Sequence, residues 1–205
     1  MNHNHKVLKQ EILDLLESNS PLSASAILLR LKGFNQNLSL TAKKVGSSCG
    51  EMVREGLLIK EHRIPNHYYG FYTPMTVWME KLITWIKDKI PFELPHIETE
   101  IVVEKKNNIL SGRTRFSVGK ITITLFISKN ILAKRNIAQG IKCVIVHEFC
   151  HVVNLHNPDL VMQTYFPEIL VIWDKAQKIK AIECSTNYMR PTSRQQGKID
   201  YILGN

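Results

Sequence analysis

Three times over the first 58 residues, apolar side chains recur at helical spacing. In KVLKQEILDLLE, residues 6–17, Val7, Leu8, Ile12, Leu15 and Leu16 share one stripe. Ser20-Pro21 stops that helix. LSASAILLRLKG follows, with Ser23 or Ser25 as the cap, Ala26, Ile27, Leu29 and Leu31 as the buried stripe and Gly33 as the end. A third helix fits Ser39 to Leu58, SLTAKKVGSSCGEMVREGLL. Gly46 and Gly50 weaken it by up to about 1 kcal/mol each relative to alanine, and small residues at Gly46, Ser47 and Gly50 allow close packing. The period then changes to two. Leu58 to Glu61 and Tyr68 to Tyr72 read as paired strands around a Pro65-Asn66 turn.

Three helices and a hairpin outline a winged helix. The run MVREGLLIKEHRIPNHYYGFYT resembles the end of the recognition helix and the wing of winged helix-turn-helix domains, across about residues 5–73. The resemblance implies DNA contacts from the third helix and the wing. Thr41, Lys43, Lys44 and Ser47 are the helix candidates, and His62, Arg63, Asn66 and His67 the wing candidates. The competing expectation is that this domain packs on the second domain or on a protein partner.

Tyr72-Thr73-Pro74 marks the predicted boundary, giving domains at 1–74 and 75–190 and an unassigned tail at 191–205. Thr76 to Ile90 is amphipathic, with Val77, Trp78, Leu82, Trp85 and Ile86 on one face. Three alternating segments follow, IETEIVVEKK, ILSGRTRFSVG and ITITLFIS, with turns at Asn107-Asn108 and Gly119-Lys120. A short helix capped by Ser128 precedes IKCVIVHEFCHVVNLH, which is apolar nearly all round. Pro158 opens another helix, and Pro167 interrupts it.

That apolar helix carries the chemistry. His147, Glu148 and His151 form H-E-x-x-H. On a helix the two histidines lie one turn apart on one face and can point at one metal ion. Zinc so held lowers the pKa of water, and Glu148 takes its proton during attack on a peptide carbonyl. Val144, Ile145, Val146, Phe149, Val152 and Val153 bury the helix, and unpartnered polar groups there would cost several kcal/mol. A hydrogen-bonded histidine pair is the plainer alternative. For the third ligand, His156 is nearest, five residues after His151, with Glu168 and Glu183 open as alternatives. Cys150 reads as a small core residue.

From about Thr76 onward the chain resembles the SprT-like and YgjP-like zinc metallopeptidases. VIVHEFCH, LHNPDL and RTRFSVGKITITLFISKNIL carry the likeness. The spacing to His156 is one residue shorter than in that family, and the lead-in lacks its tryptophan and cysteine. The resemblance implies an α+β zincin-like domain with a small antiparallel or mixed sheet, a Zn2+ cofactor and peptidase activity. In the SprT branch it implies proteolysis of proteins on DNA. It also implies that Ile121 to Ile127 is the sheet edge receiving substrate, with Thr122 and Thr124 beside it.

Charge changes this picture in one respect. The chain carries a net charge of +9 over 205 residues, and residues 104–142 hold nine basic side chains against Glu104 alone. Such a field attracts DNA or another polyanion. The four cysteines include no C-x-x-C pair, which excludes a cysteine-rich zinc module. No run reaches membrane-spanning length and no signal peptide is legible, so the expected location is cytoplasmic or nucleoid-associated. The expected function is a zinc endopeptidase acting on proteins at or near DNA. The alternatives are a winged-helix regulator with a zincin-like sensor domain, or a peptidase directed at a specific repressor or toxin.

Overall fold

The computed structural model describes residues 5–34, 39–62, 70–91, 93–94, 96–104, 110–118, 120–134 and 137–172. The chain is mixed α+β and divides into two compact units, Met1–Leu82 and Ile83–Asn205.

In the first unit, α1 (His5–Asn19) buries Leu8, Ile12, Leu15 and Leu16. The two-residue strand β1 (Leu22–Ser23) leads into α2 (Ala24–Phe34), where the Ser23 hydroxyl accepts the Ala26 N–H at 3.3 Å. Ser23 is therefore the cap. Helix α3 (Ala42–Arg54) starts at Thr41, whose side chain accepts from the Lys44 N–H, and buries Val45, Ser48, Cys49, Met52 and Val53. At Gly46 an added methyl group would meet the Ala24 Cβ at 3.7 Å, an ordinary contact, so the packing there does not require glycine.

The third helix ends short of Leu58. Gly56 adopts φ 77°, the left-handed conformation glycine tolerates best. The Gly56 N–H donates to the Val53 carbonyl and the Leu57 N–H to the Met52 carbonyl, so the freed carbonyls of α3 are satisfied. Leu58 then enters β2 (Leu58–His62), which pairs with β3 (Gly70–Pro74), and the sheet order is β1-β3-β2. The wing turn, with Arg63, Asn66 and His67, lies outside the described residues.

Helix α4 (Met75–Lys89) contains the division between units, which falls after Leu82 rather than at Pro74. The displacement has a local cause. The Met75 N–H donates to the Leu57 carbonyl, and the Trp78 indole donates to Glu61 at 3.0 Å, so the first turns of α4 are tied to the hairpin.

The second unit holds β4 (Ile97–Glu104), β5 (Leu110–Ser117) and β6 (Lys120–Ser128) in the order β4-β6-β5. β4 runs parallel to β6 and β5 antiparallel to it, so the sheet is mixed. β6 buries Ile121, Ile123, Leu125 and Ile127 from one face. After the single turn α5 (Lys129–Leu132) comes α6 (Ile137–Val153), which begins four residues before the expected Ile141. Its buried residues include Ile141, Ile145 and Phe149.

Asn157 caps α7 (Pro158–Tyr165), accepting the Leu160 N–H, and Pro158 occupies its first turn, where a missing N–H costs nothing. The last turns of α4 pack in this unit. Trp85 meets Phe166 at 5.6 Å and lies under two ammonium groups, Lys142 at 3.6 Å and Lys89 at 4.7 Å. Among the described residues, no helix is long and apolar enough to cross a membrane.

Candidate active site on helix α6

His147 and His151 point their Nε2 atoms at one another, 3.2 Å apart, with the rings nearly perpendicular at 85°. Two imidazoles on a tetrahedral zinc, at the usual bond lengths, stand roughly 3.3–3.4 Å apart. The separation of the pair is close to that spacing. The other ring nitrogens face oxygens: His151 Nδ1 is 3.3 Å from the Leu155 carbonyl, and His147 Nδ1 is 3.9 Å from Asp159 Oδ1. Burial, with the neighbouring His151 adding to it and Asp159 opposing, pulls the His147 pKa down to about 4. That imidazole is neutral at pH 7, as a metal ligand must be.

Glu148 is buried at 8% exposure. The Thr114 hydroxyl lies 2.7 Å from its Oε2, positioned to donate to it, and 3.1 Å from the Glu148 backbone carbonyl. Gly112, two residues earlier on the same face of β5, leaves the space. A Cβ at Gly112 would sit 2.3 Å from Glu148 Cγ and 2.7 Å from Oε1. Neither Gly112 nor Thr114 was among the residues expected from the sequence. A signal was present: in LSGRTRFS, a glycine and a hydroxyl occupy the parity that holds Ile123 and Leu125 on the neighbouring strand. An inward face of that kind meets something polar.

The expected third ligands are not gathered here. His156 is exposed on the bend after α6, where its backbone N–H donates to the Asn154 side chain. Glu168 is ion-paired with Lys89, which holds its carboxyl below the usual range, and Glu183 lies outside the described residues. Among the described residues no group of three His, Cys, Asp or Glu side chains is assembled to hold a metal. Asp159, which the sequence did not single out, is the acid beside His147. Cys150 is fully buried and its thiol is pushed up to about 12 by burial, in keeping with a core residue.

The expectation for the substrate strand is overturned. β6 is the central strand, paired along its length to β4 on one side and β5 on the other, so no peptide can add to it. Thr122 and Thr124 also project from the opposite face to Gly112 and Thr114, and Thr124 donates to Glu100 at 3.3 Å. Among the described residues, the edge beside Glu148 belongs to β5. In the first unit Thr41, Lys43, Lys44 and Ser47 are exposed on α3, with the Thr41 hydroxyl engaged as the cap.

Compared with protein-family models, curated proteins and solved structures, the chain matches none of them.

Proposed function

We propose that this chain is a zinc-dependent endopeptidase joined to a winged-helix module that brings it to DNA. The observation that carries the reading is the 3.2 Å approach of the two Nε2 atoms, with the buried carboxylate of Glu148 on the same helix. His147 and His151 would hold the zinc, and His156, on the turn directly after α6, would complete the set. Bound there, zinc would supply Lewis acidity, lowering the pKa of water and polarising a carbonyl.

The chain's own groups do the rest. Glu148 accepts the proton of the attacking water and returns it to the departing amine. Thr114 orients that carboxylate, and Gly112 keeps the space it occupies. An extended substrate adds to the outer edge of β5, which lies alongside Glu148. In the first unit, the α-β-α-α-β-β order supports the winged-helix reading, and the exposed Lys43 and Lys44 supply phosphate contacts.

The test is elemental mass spectrometry of the full chain beside His147→Ala and His156→Ala, followed by digestion of an unfolded protein. About one zinc per wild-type chain is expected, reduced in both variants, with proteolysis absent in Glu148→Gln at unchanged zinc. A folded wild type that takes up no zinc leaves a hydrogen-bonded histidine pair.

A further inference from the structure

Each imidazole of the pair is approached on its second nitrogen by an oxygen, and the two oxygens act differently. The Leu155 carbonyl can only accept, so at 3.3 Å it keeps the His151 proton on Nδ1 and leaves Nε2 as a lone pair. His147 then has two forms. With its proton on Nε2 it bridges the 3.2 Å gap to His151 as a hydrogen bond, and the pair is closed to a cation. With its proton on Nδ1, two lone pairs face each other, and a cation between them removes the repulsion.

Asp159 lies on the Nδ1 side. Its Oδ1 is 3.9 Å from His147 Nδ1, farther than a hydrogen bond by roughly 0.7–1 Å. The backbone of that turn is fixed, since Asn154 accepts the His156 and Asn157 N–H groups and Asn157 caps α7. The Asp159 side chain is 65% exposed, and an inward rotation would close the remaining gap. A carboxylate there attracts an Nδ1 proton and repels a bare Nδ1 lone pair.

We propose that Asp159 selects the Nδ1–H tautomer of His147 and so opens the histidine pair to a divalent cation. It is a positioning residue outside the metal's own ligands, because it approaches the ring on the edge away from Nε2. The assignment rests on the zinc-site reading given above.

Zinc affinity of the full chain, measured by competition with a chromophoric chelator, tests it in Asp159→Asn and Asp159→Ala. Asp159→Ala should bind on the order of 10–100-fold more weakly. Asp159→Asn should fall between, because its amide oxygen still accepts. In the metal-free protein, long-range proton–nitrogen NMR should place the His147 proton on Nδ1 in wild type and on Nε2 in Asp159→Ala. Equal affinities with an unmoved tautomer overturn the assignment and leave the zinc site standing. Loss of binding as complete as in His147→Ala makes Asp159 a direct ligand and overturns the outer placement. A wild type that binds no zinc, with the tautomer still responding to Asp159, overturns the zinc site and keeps the tautomer role.

Discussion

The hydroxyl of Thr114 stands 2.7 Å from Oε2 of Glu148, joining an edge strand to the helix that holds the histidine pair. A hydrogen bond to a charged group contributes about 1.5–3 kcal/mol. Thr114→Val keeps the shape and removes the hydroxyl. We expect proteolysis to fall roughly 10–100-fold in kcat at unchanged zinc content, and Thr114→Ser to restore most of it. Equal rates in wild type and Thr114→Val would remove Thr114 from the machinery.

Gly112→Ala should be the more damaging change on that strand. The added methyl would lie 2.3 Å from Glu148 Cγ, well inside contact distance. Either β5 shifts or the carboxylate is displaced, and overpacking of this kind costs about 1–3 kcal/mol. Thermal unfolding should show the destabilisation, and activity should fall with it. A variant with unchanged melting and unchanged activity would mean that Glu148 has another place to go.

Acid should weaken the second unit through His147. Its folded pKa, about 4, lies below the ordinary histidine value of 6.5. Between those values the unfolded chain binds the proton more readily than the folded one, so stability rises with pH across this window. It is complete above about 6.5 and disappears as pH falls toward 4. Melting of the metal-free protein at pH 7, 5.5 and 4.5 should show this drop, and His147→Gln should flatten it. Parallel profiles in the two proteins would assign the acid sensitivity elsewhere.

Lys43→Gln with Lys44→Gln addresses the first unit. Each phosphate that is no longer neutralised should lower the slope of log affinity against log salt by about 0.9 for duplex DNA. A drop of roughly that size or twice it in the full chain supports α3 as the binding helix. An unchanged slope would direct attention from DNA to a protein partner for the first unit.

Much of the local structure was legible because it depends on neighbours in sequence. The stripe at Leu8, Ile12, Leu15 and Leu16 and the stop at Ser20-Pro21 need no distant partner. The i, i+4 spacing of His147 and His151 fixes their shared face in the same way. The strand order did not follow from alternation, because any of three alternating segments can be central and pairing across the sheet decides which. Thr122 and Thr124 were misplaced for that reason. The boundary at Pro74 missed because the hydrogen bond from Trp78 to Glu61 carries the first unit into α4. Gly112, Thr114 and Asp159 acquire their roles only from their packing against α6, and Thr114 stands 34 residues from Glu148 along the chain.

Two tryptophans give each half of the chain its own light source. Trp78 reports from the first unit, through its indole bond to Glu61. Trp85 reports from the second, its ring under Lys142 and Lys89 and beside Phe166, where loosening of α4, α6 or α7 alters the charge around the excited ring. With Trp78→Phe and Trp85→Phe each made in a Trp173→Phe background, a single emission scan against urea can show whether the two units unfold as one body or in turn.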